Sequence, residues 1–182
     1  FLLAMVSIAF GVVAVRRSSS SAGQSSRTTS WRSRPSQLTA ALTSLTAIAL
    51  VTGTVVTGTG PHAGEQDVRR FSFDISNVAR IHSATVIAAL AVAGLLAWTL
   101  RGGADSAAAV RAALSGWIFV GLLQSAVGYT QYFNGVPELL VGTHIALATV
   151  LWVMTMRLFL MTVETPTPEY NTKMMLATTA RV

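Results

Sequence analysis

Long apolar runs separated by short polar segments dominate this sequence. Four of the runs reach about 20 residues, the length of helix that crosses the hydrocarbon core of a bilayer. They cover residues 38–59, 81–100, 113–132 and 139–163. A fifth run, residues 1–15, is shorter and is predicted to be the end of a preceding transmembrane helix. The pattern predicts an all-α integral membrane protein, a four-helix transmembrane bundle plus that helix end.

The polar segments divide the chain around this bundle. Residues 16–37 are rich in Ser and Arg and carry too little apolar surface to fold alone, which predicts a cytoplasmic linker. Residues 38–163 are the predicted bundle, and residues 164–182 are a predicted cytoplasmic tail. Because most joining segments are short, helices adjacent in sequence are expected to be adjacent in space.

Two helix starts carry local signals. Ser76 or Asn77 is the expected N-cap of the second span, since both side chains can accept a hydrogen bond from a free backbone N–H. Pro137 suits the first turn of the last span, where its missing N–H has no partner to lose, and the adjacent Glu138 matches the positive end of the helix.

Composition supports the membrane assignment. Hydrophobic residues make up 52% of the 182 residues and charged residues 11%, whereas soluble domains average about 25% charged residues. The chain has no cysteine, which excludes disulfides, thiolate-ligated haem and Cys-type zinc or iron–sulfur sites from these residues.

The basic residues are distributed unevenly between the two sides of the predicted membrane. Four spans put ten of the 13 Lys and Arg residues on one side and three on the other. The three are Arg69, Arg70 and Arg80. By the positive-inside rule the basic loops and the C-terminus are cytoplasmic, in a multi-pass protein of the cell membrane. The net charge of +6 therefore indicates contact with membrane lipid, and no nucleic-acid partner is expected.

His82 and His144 are the two ionisable side chains that stand out within the apolar runs. Each lies near the start of a span, and alternating helix directions put both at the same depth on the extracytoplasmic side. An ionisable side chain in lipid is costly and indicates a functional site. Two histidines at one level suggest a haem held between two helices, with His82 and His144 as axial ligands of its iron. For either histidine alone, a hydrogen-bonded packing role is the alternative.

Small and amide side chains recur on the faces expected near the histidines. The third span presents Gly121, Gln124, Gly128 and Gln131 on one stripe, of which Gln124 and Gly128 are candidate cofactor contacts. Ordinary helix packing is the alternative for such stripes. Residues one to three turns from the histidines are expected to line the same space: Thr85 or Val86, Ala89, Ala93, Ala148, Leu151 and Trp152.

Arg80 is a candidate partner for a haem propionate, with Arg69 and Arg70 as alternatives. The other interpretation is that these arginines anchor the helices at the membrane interface.

Several motifs resemble the C-terminal half of haem A synthase, a family of membrane proteins of cytochrome oxidase assembly. They are GTVVTGTGPHAG at residues 53–64, ARIHSATV at 79–86 and LLQSAVGYTQYFNGVPELLVGTHIALA at 122–148. The likeness extends over about residues 38–161. It implies a fragment of an eight-helix protein made of two four-helix bundles, whose C-terminal bundle carries haem b on His82 and His144.

The resemblance also implies an activity. The family oxidises the methyl group of haem O to the formyl group of haem A, an oxidoreductase reaction of porphyrin biosynthesis. The substrate site is expected in the missing N-terminal half, so no catalytic residue is expected here and this piece alone is expected to be inactive. Haem O is then the substrate and haem O synthase a candidate partner, while a homo-oligomer is left open. The alternative is a non-enzymatic haem-binding or electron-transfer subunit of the membrane cytochrome b type.

Overall fold

Five helices and one short strand pair make up the computed structural model, which describes residues 1–22, 27–29, 32–60, 69–102 and 107–166. The helices are α1 (Leu2–Ala22), α2 (Arg34–Thr59), α3 (Ile75–Leu100), α4 (Ala108–Phe133) and α5 (Glu138–Val163). Strands β1 (Arg27–Thr29) and β2 (Glu164–Pro166) pair antiparallel, with Thr28 opposite Thr165. Helices α2 to α5 are each long and apolar enough to cross a membrane. The predicted all-α membrane bundle is therefore confirmed.

The four long helices pack as a closed ring. Helix α2 contacts α3, α3 contacts α4, α4 contacts α5, and α5 returns to α2. Helices adjacent in sequence are thus adjacent in space, as the short connections predict, and α3 and α5 lie on a diagonal of the ring. Helix α1 packs on the outside against α5. We call the end where α2 and α4 finish the outer end of the bundle, and the opposite end the inner end.

The helices begin earlier than the apolar runs. Helices α2, α3 and α4 start four to six residues ahead of the predicted spans, at Arg34, Ile75 and Ala108. Hydrophobicity marks the part of a helix that suits lipid, whereas the helix itself continues through polar residues. Likewise α1 continues past the predicted span end to Ala22, and α2 already begins at Arg34, within the predicted linker of residues 16–37. The β1–β2 pair was not predicted.

The expected cap of α3 is also wrong. Asp74 is the N-cap, and its carboxylate accepts hydrogen bonds from the backbone N–H groups of Ser76 and Asn77. The hydroxyl of Ser76 donates to the same oxygen, and this bond is the main reason that the pKa of Asp74 is lowered. Asp has a capping ability similar to that of Ser and Asn, so residue type alone does not distinguish Asp74 from the two predicted caps. At α5 the Pro137 carbonyl accepts the first helical hydrogen bond, from Val141, one residue from the predicted position.

The core lies in the inner half of the bundle. Leu42, Leu96, Leu114 and Leu158 are almost completely buried there. The indole N–H of Trp117, also buried, donates to the hydroxyl of Thr155 at 2.7 Å. This bond joins α4 to α5 and satisfies a polar group that would be costly to leave unpaired in an apolar interior.

The bundle consists of two similar hairpins, α2–α3 and α4–α5. Near the outer end, Gly53 of α2 faces His82 of α3, and Gly128 of α4 faces His144 of α5 in the same way. The buried positions match in register between the hairpins: Thr39 with Leu114, Leu42 with Trp117, Thr46 with Gly121, Ala93 with Thr155, and Leu96 with Leu158. The bundle is therefore an internal repeat, and the two histidines occupy equivalent places in it.

Candidate functional site

A large cavity occupies the outer half of the bundle. Its volume is about 930 Å³, and residues from all four long helices line it. That volume lies at the upper end of the range of roughly 300–1,000 Å³ typical of small-molecule sites. Most of the wall is apolar, with Leu50, Val86, Leu90 and Ile145 among the lining side chains. The cavity exists because the lining is rich in glycine and alanine where the inner half has leucine and tryptophan.

His82 and His144 both line this cavity from diagonal helices. Their imidazole rings are half-buried, and the ring centroids lie 6.5 Å apart with an angle of 71° between the ring planes. The structure thus brings together the two residues that the sequence singled out, at the same level of the bundle. Neither ring makes an ion pair with a carboxylate among the described residues, since Asp74 and Glu138 lie at helix starts.

A glycine on the neighbouring helix makes room for each histidine ring. A Cβ atom at Gly53 would lie 3.1 Å from Cε1 of His82, and a Cβ atom at Gly128 would lie 2.9 Å from Cε1 of His144. Both distances are shorter than ordinary carbon–carbon contacts of about 3.5–4.0 Å. Gly128 was predicted to contact the cofactor directly, whereas the structure shows it against the ring of His144. The equivalent Gly53 was missed as a site residue.

Thr52 fixes the protonation of His82. Its hydroxyl oxygen lies 3.1 Å from Nδ1 of the ring, 2.9 Å from the Ile48 carbonyl and 3.2 Å from the Ala49 carbonyl. A hydroxyl has one hydrogen, and the carbonyls can only accept it. With the hydroxyl hydrogen on a carbonyl, we assign the oxygen as the acceptor from the histidine, which puts the proton of a neutral His82 on Nδ1 and the lone pair on Nε2. Metal-binding histidines require this arrangement, in which one nitrogen donates to the protein and the other is free for the metal.

His144 lacks the corresponding partner. Its Nδ1 atom is buried with no hydrogen-bond partner among the described residues. Val127, which precedes Gly128 as Thr52 precedes Gly53, has no hydroxyl to offer. Gln124 instead holds the backbone near His144, because its side-chain amide donates to the His144 carbonyl at 2.9 Å. The two histidines are therefore equivalent in position, and each ring lies near the backbone carbonyl of a matching residue, Ala49 or Gln124. They differ in that a hydroxyl group, that of Thr52, is a partner of His82 alone among the described residues.

The predicted stripe on α4 faces the cavity. Gly121, Gln124, Gly128 and Gln131 all line it. The side-chain oxygens of Gln124 and Gln131 are buried without a hydrogen-bond partner within the described residues. Buried acceptors of this kind are costly unless something satisfies them, which is consistent with a cavity built to hold a bound molecule.

Polar and aromatic groups surround the outer mouth of the cavity. Arg80 is exposed and lines the mouth, whereas Arg69 and Arg70 are exposed and are not among the lining residues. Ser83 and Tyr129 share a hydrogen bond between α3 and α4. Phe71 covers Gly58, and its backbone N–H donates to the Gly58 carbonyl at 3.1 Å. Sequence reasoning missed Phe71 and the Ser83–Tyr129 pair, because their partners are distant along the chain.

Three of the predicted lining residues are absent from the cavity wall: Trp152, Thr85 and Ala93. Trp152 is buried, but its indole N–H donates to the Met5 carbonyl of α1 at 2.8 Å, so it joins α1 to α5 and does not line the cavity. Thr85 is also absent from the lining, while its predicted alternative Val86 is present. Of the remaining predictions, Ala89, Ala148 and Leu151 line the cavity and Ala93 is fully buried. His62 lies outside the described residues.

The described residues contain no group of three or more His, Cys, Asp or Glu side chains that could hold a metal ion. Within the described ranges the candidate metal ligands are the two histidines, a pair that suits a metal whose remaining ligands come from a macrocycle. Comparisons with protein-family models, with curated proteins and with solved structures found no match.

Gly128→Ala is expected to displace the His144 ring, because the new methyl group would overlap Cε1, and thereby to lower the haem retained per protein. Gly142→Ala is the matched control. It lies on α5 two residues from His144, and a Cβ atom there meets nothing within 4 Å. Both changes favour the helix equally, by about 0.5–1 kcal/mol. Equal haem content in the two purified variants would contradict the role of Gly128.

Thr52→Val is expected to weaken haem retention by about 10–100-fold, the usual effect of removing a partner of a ligating histidine. It should also raise the haem midpoint potential, because a less electron-rich imidazole stabilises ferric iron less. A tenfold change in relative ferric and ferrous stability corresponds to about 59 mV for one electron. Potentiometric titration measures this shift.

Two variants accompany the Thr52 experiment. Thr43→Val removes a hydroxyl that donates to a backbone carbonyl of the same helix and should leave the potential unchanged. Val127→Thr offers His144 the missing acceptor and should lower the potential. A lowered potential in Thr52→Val would refute the assigned direction of the Thr52–His82 hydrogen bond.

Proposed function

We propose that this bundle binds one b-type haem between His82 and His144 and is the electron-transfer half of a haem A synthase-type oxidoreductase. The separation of the two histidine rings is the observation that carries the proposal. Two iron–nitrogen bonds of about 2.0 Å, together with two imidazole radii of roughly 1.1 Å, would put the centroids of two ligating rings about 6.2 Å apart. The observed separation is 6.5 Å. Ring planes at 71° to each other are compatible with this arrangement, because each plane can rotate about the iron–nitrogen bond.

The surroundings fit a haem as well. The cavity is large and mostly apolar, and glycines make room beside both rings. Thr52 leaves Nε2 of His82 free of a proton, which is the state required of a ligand. Arg80 at the mouth offers a charge that a propionate can pair with, while its exposure keeps the guanidinium near water.

A bound haem would supply reversible one-electron transfer within the membrane. The chain supplies ligands, shape and exclusion of water. The apolar walls keep the site dry, and the closed inner core of Leu42, Leu96 and Leu158 separates it from the inner end.

The enzymatic part of the proposal rests on the motif resemblance. Oxidation of the haem O methyl group to a formyl group removes electrons from the substrate, and a second haem nearby is a suitable carrier for them. Helix α1, which precedes the bundle in the sequence, packs against α5. Helix α5 carries His144, one of the two candidate ligands. The non-enzymatic alternative is favoured by the fact that both histidines and most residues lining the described cavity belong to four helices. Haem A formation by the full-length protein in membranes supplied with haem O distinguishes the two.

His82→Ala and His144→Ala are each expected to abolish the low-spin haem signal in reduced-minus-oxidised spectra of the purified full-length protein, because each removes one axial ligand. Residual haem should be high-spin. His62→Ala removes the third histidine of the chain and should leave the spectrum unchanged. An unshifted, full low-spin signal in either ligand variant would refute the assignment.

We further propose that the outer end is extracytoplasmic, in a protein of the cell membrane. The ten-to-three distribution of basic residues supports this orientation. A cysteine placed at the exposed Ser72 of this cysteine-free chain should react with a membrane-impermeant maleimide in intact cells. A cysteine at Gly102, at the inner end, should react only after the membrane is opened. The reverse pattern would invert the orientation.

A further inference from the structure

A second, smaller pocket lies at the inner end of the bundle, away from the histidines. It forms where α2 begins and α3 ends, and its volume is about 540 Å³. The lining residues are Arg34, Pro35, Trp98, Thr99, Arg101 and Gly102. No carboxylate belongs to this lining as far as the chain is described, so two positive charges face one pocket without a negative partner in it.

One of the two arginines is held in place by an aromatic ring. The Cζ atom of Arg101 lies 3.3 Å from the centroid of the Trp98 ring. Stacking of this kind uses the face of the guanidinium and leaves its N–H groups, which lie in the guanidinium plane, available for a ligand. Those N–H groups form the fork that matches phosphate oxygens.

The start of α2 adds to the positive character of the pocket. Arg34 is the first residue of the helix, where the positive end of the helix dipole favours an anion. The Ser33 side chain caps the helix by accepting from the backbone N–H of Ser36, so the Arg34 side chain is not required for capping. Its guanidinium is exposed at the pocket.

The position of the pocket indicates the source of the anion. Trp98 is 63% exposed on the outside of the bundle, and tryptophan is the residue type enriched at the level of lipid headgroups. A pocket beside it, at the end of two membrane helices, is open to the headgroup layer. Basic pockets between membrane helices on the cytoplasmic side are known to bind anionic headgroups.

We propose that Arg34, Arg101 and Trp98 form a binding site for the phosphate group of an anionic phospholipid. The site is independent of the haem proposal, because none of its residues lines the histidine cavity. The occupant is a lipid and not free phosphate, since the acyl chains of a lipid would extend along the exposed apolar side chains of α3, such as Leu95.

The test is native mass spectrometry of the full-length protein with phosphatidylglycerol or phosphatidylcholine. The protein should retain one phosphatidylglycerol more strongly than phosphatidylcholine. Arg34→Gln with Arg101→Gln should weaken phosphatidylglycerol binding about 30-fold, from roughly fivefold for each arginine near the surface. Arg32→Gln with Arg157→Gln removes the same charge from exposed positions outside the pocket and should leave this lipid bound.

Three further measurements distinguish the proposed site from a general effect of charge, from misfolding and from binding of free phosphate. Arg34→Lys with Arg101→Lys keeps the charge without the fork and should bind with intermediate strength, and circular dichroism should show native helix content in every variant. Inorganic phosphate at 10-fold molar excess over the lipid should not displace it. Displacement by phosphate, equal binding of the two lipids, or equal loss in both Gln double variants would overturn the proposal.

Discussion

The absence of water from the hydrocarbon core is the constraint on which the rest of this structure depends. Every polar group within the bundle must find a partner inside the protein. Threonine hydroxyls such as those of Thr39, Thr46 and Thr54 meet the constraint by donating to carbonyls four residues earlier, and Trp117 meets it through Thr155. Against this background the unpaired atoms of Gln124, Gln131 and His144 are informative, because all three residues face the same cavity. Unpaired polar atoms concentrated in one place are expected of a binding site and not of a packing core.

The internal repeat explains why the cavity lies between two histidines. Each hairpin brings a glycine of its first helix against a histidine of its second, so placing the hairpins side by side puts the two rings across the bundle from each other. The repeat is imperfect in the hydrogen bonding of the two rings. The hydroxyl of Thr52 is hydrogen-bonded to His82, whereas Val127, at the equivalent position, has no hydroxyl to bond to His144. In the proposed haem site, this difference would give the two histidine ligands different hydrogen-bond partners, and such partners tune a redox centre.

Much of the architecture follows from the sequence, because the length and spacing of apolar runs fix the number and direction of membrane helices. The shared depth of His82 and His144 follows from the same count. The Trp152 prediction failed because a side chain on a helix with partners on several sides can face any of them, and α1 was predicted to belong to a different bundle. Thr52 and Gly53 were missed because their importance comes from a contact with α3 some 30 residues away, which periodicity along one helix does not encode. The early starts of α2 to α4 were missed because hydrophobicity indicates which part of a helix suits lipid. It does not indicate where the backbone hydrogen bonds of the helix begin.

The two ends of the bundle differ in their side chains: a mostly apolar cavity lies at the outer end and a basic pocket at the inner end. A packed core separates the two. At the outer end, small residues leave an apolar space that His82 and His144 enter and that Phe71 partly covers. At the inner end, Arg34 and Arg101 face the headgroup layer, where charge is inexpensive. The leucines and Trp117 between these ends pack without a comparable space. The proposed haem site near one end and the proposed lipid site near the other are therefore expected to be alterable independently without opening the core, since additivity is expected for distant sites that share no partners.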